Sequence, residues 1–239
     1  MSLYFQEFPV IQYDVFGNGK PIDVVDIFRS VKIKKDIRDN VLLYTYYTIQ
    51  DGERPDHVSL KLYGSIDYYW TFFMVNDNLV NLVADWPLST AELDNKIAMK
   101  YSGYVLSTDS EIANAFTKGE TIQGLISGAT ATILEKDINL GLVKIESVVG
   151  QFKDGELIRG KTSNDTLTLN GVIPFTDAVH HFEDEEGNTV MKSVNAVPVL
   201  NSEYEILENE KKTKIRVIRR EYISRMAAEF FKQINPEAQ

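Results

Sequence analysis

The sequence predicts an α+β fold in which an all-β repeat module interrupts an aromatic-rich core that the C-terminal segment returns to complete. Three observations predict it. First, 26 of the 239 residues are aromatic, yet between residues 105 and 203 only Phe116, Phe152, Phe175 and Phe182 occur. Glycine runs the other way, with nine of 14 between Gly103 and Gly171. Second, that glycine-rich stretch contains an internal repeat. Third, Ile223, Met226, Ala227, Phe230, Phe231 and Ile234 recur at helical spacing, with Pro236 just beyond, the pattern of an amphipathic closing helix. The resulting division is 1–101 for the arm and first part of the core, 102–174 for the inserted module, and 175–239 for the return.

Residues 1–20 read as an extended arm ordered mainly by partners. Val41 to Ile49 is β-branched and aromatic and reads as a strand, turning at Asp51-Gly52. Pro55 suits a first helical turn, and Val58, Leu62 and Gly64 give a short helix with a glycine stop. A second helix is expected from Asp67 to Val75, where Asp67 meets the free N–H groups of the first turn. Its Tyr68, Tyr69, Trp70, Phe72, Phe73 and Met74 are apolar almost all round, so it must be buried on more than one side. Asn76-Asp77-Asn78 ends it.

In the module, Phe116-Thr117-Lys118-Gly119-Glu120-Thr121-Ile122-Gln123-Gly124 recurs as Phe152-Lys153-Asp154-Gly155-Glu156-Leu157-Ile158-Arg159-Gly160 at an offset of 36, and Ser127 matches Ser163. Each copy reads as a glycine turn, a short strand with Ile122 or Ile158 inward, and a second glycine turn. Thr130 to Leu134, Leu142 to Ile145 and Thr166 to Leu169 supply further strands. Two such units can close into a small barrel or sandwich, because one alone leaves edges and an uncovered face. Beyond the module, Val179 to Val190 reads as a hairpin turning near Glu186-Gly187-Asn188, and Lys214 to Ile218 as a strand.

Composition narrows the function. Without cysteine the chain has no disulfide, thiolate metal site or cysteine nucleophile, which fits a protein assembled inside a cell. A net charge of −10 argues against broad nucleic-acid or anionic-membrane binding. No apolar run approaches the ~20 residues of a membrane span, and MSLYFQEFPV is not patterned as a signal peptide. No nucleophile elbow or His-Glu-x-x-His pair occurs, and Gly17-Asn18-Gly19-Lys20 lacks the first half of a phosphate loop. The expectation is therefore a non-enzyme without cofactor or metal. His180-His181 before Glu183 to Glu186 is the one cluster with ligand chemistry. Adjacent strand residues face opposite ways, though, leaving one imidazole per face, and a solvated acidic tip is the favoured reading. His57 reads as a surface or packing residue. The basic stretch Lys211, Lys212, Lys214, Arg216, Arg219, Arg220 and Arg225 reads first as the charged edge of a half-buried strand; contact with nucleic acid or with an acidic protein stays open. Tyr44, Tyr46, Tyr47, Tyr63, Tyr68, Tyr69 and Trp70 exceed what a small βαα unit can hide, so part of the set is expected to pack a partner.

Residues 46–76 resemble a LysM module. Tyr46-Tyr47-Thr48-Ile49-Gln50-Asp51-Gly52-Glu53 is similar to its opening strand and turn, Leu60-Lys61-Leu62-Tyr63-Gly64 to the end of its first helix, and Asn76 to the residue closing its second. The last strand of the βααβ unit would be Lys214 to Ile218, so the LysM-like core would be discontinuous. More specifically, the chain resembles the baseplate wedge protein 53 family of T-even-type contractile-tailed phages. The residues carrying this likeness are Asp26-Ile27-Phe28-Arg29, Tyr46-Tyr47, Arg54-Pro55, Leu62-Tyr63-Gly64, Tyr69-Trp70, Asn76-Asp77-Asn78, Trp86 and Leu207-Glu208-Asn209-Glu210-Lys211. It covers about the first 100 and last 40 residues; the repeat module departs from the shorter T-even form.

That resemblance implies a structural part of the virion tail, present in several copies in a symmetric assembly and put together in host cytoplasm. The part would clamp the core bundle of the baseplate wedge and help join wedges around the hub. Implied partners are wedge proteins 6 and 7 and the sheath initiator 25. Tyr46, Tyr47, Tyr63, Tyr69, Trp70, Trp86, Phe28 and Arg29 are the expected core and interface anchors. The competing expectation is a LysM-like module binding peptidoglycan or another glycan through the loops at one end of the unit.

Overall fold

A computed structural model describes residues 3–5, 7–31, 33, 35–81, 84–108, 112 and 116–236. It is a mixed structure of helices and antiparallel sheets, divided into two compact units: Met1–Thr90 with Asn209–Gln239, and Ala91–Glu208. The second unit takes in the stretch 102–174 together with the segments on either side of it.

In the first unit, β1 (Val10–Tyr13) and β2 (Ile22–Val25) form a hairpin near the N-terminus. Asp14 shapes its turn by accepting from the amides of Asn18 at 3.1 Å and Gly19 at 2.6 Å, while Gly17 and Gly19 take φ of 64° and 75°. One helical turn, α1 (Lys35–Arg38), and β3 (Tyr44–Thr48) follow. The strand expected from Val41 starts three residues later because the Asn40 side chain accepts from Leu42 N at 3.1 Å and holds Val41–Leu43 in a 3-10 turn. Helix α2 (Pro55–Tyr63) begins at its proline and stops at Gly64, whose φ of 78° is left-handed. The second helix is split. Ser65, not Asp67, caps a 3-10 turn over Ile66–Tyr68, and α3 (Trp70–Val75) starts after it.

β14 (Lys214–Ile218) pairs antiparallel with β3, Arg216 opposite Tyr46. Ile215 and Val217 from β14 meet Val58, Phe72, Val75 and Leu79 in a buried cluster. Asn76 fixes the end of α3 to this sheet: its Oδ1 accepts from Arg216 N and its Nδ2 donates to Arg216 O, both at 2.8 Å, as a neighbouring strand would. The same Nδ2 also donates to Phe72 O at 2.7 Å. The closing helix α6 (Arg220–Ile234) buries Ile223, Ala227, Phe230 and Ile234, one face of a 3.6-residue period, with its polar residues outside.

The second unit holds a seven-stranded sheet in the order β10-β4-β7-β6-β5-β8-β9. Its strands are β4 (Tyr104–Ser107), β5 (Thr121–Gly124), β6 (Thr130–Asp137), β7 (Leu142–Val149), β8 (Leu157–Gly160), β9 (Thr166–Thr168) and β10 (Gly171–Pro174). The two outermost strands, β9 and β10, are consecutive in the chain, with Leu169 and Asn170 between them. Six strand spacings across a flat sheet come to about 29 Å, and so short a link reaches only about 11 Å. The sheet therefore curls until its ends meet, where Thr108 Oγ1 donates to Thr168 O at 2.9 Å and Asn170 N to Ser107 O at 2.8 Å. Leu106, Ile122, Ile133, Val143, Ile158 and Leu167 fill the inside.

The 36-residue repeat is a local two-fold. β5 and β8 pair antiparallel with Gln123 opposite Arg159, an equivalent pair on the axis. Each copy's glutamate reaches across to the other copy's turn. Glu156 accepts from the amides of Ile126 (3.0 Å) and Ser127 (2.9 Å) and from the Ser127 hydroxyl (2.8 Å), and Glu120 accepts from the amides of Thr162 (2.8 Å) and Ser163 (2.6 Å). Each carboxylate also caps its own turn, at Lys153 N (2.7 Å) and Thr117 N (3.0 Å). Burial opposes these charges, but the bonds from Ser163, Thr117 and Thr162 hold Glu120 down at about 2. Those from Lys153, Ser127 and Ile126 likewise hold Glu156 at about 2. The second glycine of each copy leaves room for this contact: a Cβ on Gly124 would lie 2.6 Å from Glu156 Oε1, and one on Gly160 would lie 2.5 Å from Ser163 Oγ.

The second unit also contains α4 (Thr90–Lys100) from Ala91 onward, α5 (Asn201–Glu210) as far as Glu208, and a sheet in the order β12-β11-β13, formed by β11 (Val179–Glu183), β12 (Thr189–Val190) and β13 (Val197–Leu200). α5 presents the buried Glu205 to α4. Its carboxylate meets Lys96 at 2.8 Å, Lys100, and the Tyr101 hydroxyl at 3.1 Å. Burial works against that charge, yet the bonds from Lys100 and Lys96 bring it to about 2.

Candidate partner-binding surface

The expected anchors divide between core and surface. Tyr63, Trp70 and Trp86 are buried. The Tyr63 hydroxyl donates to Ile218 O at 2.9 Å, tying α2 to the end of β14, and burial raises its pKa. Trp70 meets Tyr4 and Phe230 in tilted contacts and Phe231 edge-on, its ring centre 4.5 Å from that of Phe230. Trp86 Nε1 donates to Glu53 O at 2.6 Å.

Tyr47 and Tyr69 are half-buried. The Tyr47 hydroxyl donates to Glu53 at 2.6 Å while accepting from Lys61 at 2.9 Å. Tyr69 packs against the aromatic cluster of Trp70. Arg29 Nη1 donates to Ile234 O at 2.8 Å, at the end of α6.

Two aromatic anchors stand in the open. Phe28 is 89% exposed and Tyr46 is 67% exposed. Tyr46 lies on the outer face of β3, with Lys214 Nζ 5.2 Å from its ring centre. The segment before Phe28 adds more apolar surface, since Val10, Tyr13, Val15, Phe16, Ile22 and Ile27 are all exposed on and beside the β1–β2 hairpin. A two-stranded hairpin is marginal in water by itself. This arm is held at its root, where Tyr4 stacks near Trp70 and Phe8 is buried in the cluster of Trp70, Phe230 and Ile234. The anchor residues alone do not reveal the hairpin. Gly17-Asn18-Gly19 between two short apolar runs is the turn signal that could have found it.

A shallow cavity of ≈ 70 Å³ beside Trp70 is lined by Val31, Ile33, Met74, Ile218, Met226 and Phe230 among others, almost wholly apolar. The first unit thus offers two kinds of uncovered apolar area.

The histidine pair departs from the one-imidazole-per-face expectation. A register shift between Val179 and His181 in the pairing of β11 with β13 turns the rings together, with Nδ1 to Nδ1 at 2.9 Å. His180 stacks on Tyr204 at 3.9 Å and His181 Nε2 meets Glu183 at 2.9 Å. Among the described residues no group of three or more His, Cys, Asp or Glu is placed to hold a metal. The acidic turn is structural: Asp184 accepts from Glu186 N and Asn188 N, both at 2.9 Å.

Buried aromatic anchors behind an apolar arm and exposed tyrosine are the makings of an assembly protein, whose work is done by surfaces. The model of the base plate wedge protein 53 family matches residues 3–126, more than half of the chain, including the arm, β3, α2 and α3. The chain belongs to that family and is a structural protein of the phage baseplate, associated there with other baseplate proteins. No curated protein matches it.

Proposed function

We propose that this chain is a clamp of a contractile-tail baseplate wedge, gripping the wedge core bundle and helping neighbouring wedges join around the hub. The observation that carries the reading is the arm: a hairpin and the following Ile27 and Phe28 hold apolar side chains in solvent on a base rooted in the core. Uncovered apolar area of this kind is what a partner covers. Phe28, Tyr46, the exposed Arg29 and the half-buried Tyr47 and Tyr69 serve as contact residues, and Tyr63, Trp70 and Trp86 as the core that positions them.

The partners are wedge proteins 6 and 7 and the sheath initiator 25, with several copies per virion assembled in host cytoplasm. β3, α2, α3 and β14 form a discontinuous LysM-like core, and the 102–174 stretch is an inserted small β-barrel, consistent with the meeting of β9 and β10. Contact between proteins, not catalysis, is its role.

The glycan-binding alternative is disfavoured by the segment after α3. Thr90 N donates to Asp51 Oδ1 at 2.7 Å and Trp86 Nε1 reaches Glu53 O, so residues 86–90 lie against the very loop, between β3 and α2, that a LysM unit would turn to a sugar.

The test is co-elution of the full chain with reconstituted wedge core on a sizing column at micromolar concentration. Co-elution of the parent chain, lost in Phe28→Asp with unchanged folding, is expected. Failure of the parent chain to co-elute refutes the clamp, and retention on peptidoglycan would promote the alternative.

A further inference from the structure

Among the described residues β3 has a hydrogen-bonded neighbour, β14, on one side only. Its register with β14 fixes which backbone groups face away. Arg219 N donates to Leu43 O and Ile49 N to Thr213 O, both at 2.9 Å. With Tyr44 opposite Ile218 and Thr48 opposite Lys214, Thr45 and Tyr47 exchange bonds with β14, and Tyr44, Tyr46 and Thr48 point theirs outward. The ends of that outer edge are occupied: Tyr44 O accepts from Arg219 Nε at 3.1 Å and Thr48 O from Gln50 Nε2 at 2.8 Å. Between them, no described residue bonds the N–H or C=O of Tyr46, or the N–H of Thr48.

Proteins ordinarily blunt such an edge with proline, charge or a bulge. Tyr44-Thr45-Tyr46-Tyr47-Thr48 has none of these. The edge of β14 is closed instead, by the Asn76 amide on Arg216 and the Tyr63 hydroxyl on Ile218 O. Charge selects the occupant. The chain is −10 overall, but its cations concentrate at Lys211, Lys212, Lys214, Arg216, Arg219 and Arg220. Lys214 Nζ sits over Tyr46 with no carboxylate partner among the described residues.

We propose that the open edge of β3 receives an extended, acidic segment of a partner protein as an added strand. Tyr46 gives it two main-chain hydrogen bonds and Lys214 meets the carboxylate of the residue facing Tyr46. This rests on the assembly reading and names the chemistry of one partner contact.

The probe is a blocked, fluorescein-labelled heptapeptide alternating valine and glutamate, added to the full chain at low salt and followed by fluorescence anisotropy. Two further peptides carry lysine in place of glutamate, or N-methyl groups on the strand-pairing amides. Saturable binding of the glutamate peptide is expected, weakened about tenfold or more by N-methylation and about fivefold by Lys214→Glu. Amide exchange at Tyr46 and Thr48 should slow on binding, with Thr45 and Tyr47 unchanged. No binding, binding indifferent to N-methylation, equal binding of the lysine peptide, or protection elsewhere would each overturn the proposal. Co-elution with wedge core is scored separately: if it persists while the peptide fails, the edge proposal alone is refuted.

Discussion

Replacing Glu156 by glutamine tests whether the repeat is held by reciprocal carboxylates. The substitution keeps size and shape and changes only charge and one acceptor. Glu156 receives three amide N–H groups and the Ser127 hydroxyl at 2.7 to 3.0 Å. A glutamine keeps one acceptor oxygen and turns an NH2 against the donors that met the other. At least one to two buried donors lose their partner, at about 1–3 kcal/mol each, so the second unit should lose about 2–4 kcal/mol. With a urea dependence of about 2 kcal/mol per molar, its unfolding midpoint falls by about 1–2 M. Both tryptophans, Trp70 and Trp86, lie in the first unit, so their fluorescence is blind to the change. Amide exchange across 116–170, measured against urea, is the suitable readout.

Acid provides the second arm of the same test. The ordinary glutamate value of 4.5 is lowered to about 2 at Glu120 and Glu156. The unfolded chain thus takes up these protons first, and the stability they contribute is complete above 4.5 and lost as the pH falls towards 2. Glu156→Gln has one such group fewer, so its stability should fall less steeply across that window than the parent's. A stability unchanged within about 0.3 kcal/mol, or parallel acid profiles for parent and variant, would refute the reciprocal-carboxylate account.

Three further outcomes follow from the packing. Gly124→Ala places a Cβ 2.6 Å from Glu156 Oε1 and should cost about 1–3 kcal/mol in the same exchange assay. Asn76→Ala removes both bonds to Arg216 and should destabilise the first unit by about 2–4 kcal/mol, read by tryptophan fluorescence in urea. His180 is held below its ordinary 6.5 by burial first, then by His181 and Lys100 against the opposing Glu205. Its neutral form therefore stabilises fully above 6.5 and that contribution is lost as the pH drops through the folded value, so an NMR titration should place its midpoint below 6.5.

Periodicity and punctuation made much of this fold legible. Pro55 and Gly64 bound α2 at Pro55–Tyr63, and the apolar spacing from Ile223 to Ile234 is the buried face of α6. The 36-residue offset marked Phe, Gly, Glu, Ile, Gly and Ser, of which the Glu, Ile, second Gly and Ser pairs have a physical task in the two-fold. What was not legible were elements whose partner is remote in sequence. α5 (Asn201–Glu210) buries Glu205, a residue that composition places outside, because Lys96 and Lys100 lie more than 100 positions away. The bulge in β11 is set by pairing with β13, so strand alternation alone could not bring the two imidazoles together. Likewise, among seven nearby aromatics, sequence could not separate the buried Tyr63 and Trp70 from the open Tyr46; that depends on which face β14 covers.

How the chain treats its sheet edges bears on function more directly than its aromatic surplus does. In the second unit the curl brings β9 and β10 together, so that Thr108, Ser107 and Asn170 bond across the junction. In the first unit Asn76 imitates a strand along β14, spending a buried side chain, nine-tenths hidden, on two backbone groups. A sequence able to build both devices leaves the Tyr46 N–H and C=O on β3 without a bond from any described residue, beside an exposed ring and a lysine. An edge of Thr and Tyr has high strand propensity, and left bare it invites pairing with any extended chain. For a structural protein of the phage baseplate, such an edge is safe once a partner fills it. On the proposed reading, the open edge of β3 and the bare arm at Phe28 are two separable contacts, one through main-chain hydrogen bonds and one through apolar area. Salt should distinguish them: raising it weakens the contact that depends on Lys214 and leaves the one that depends on Phe28 intact or stronger.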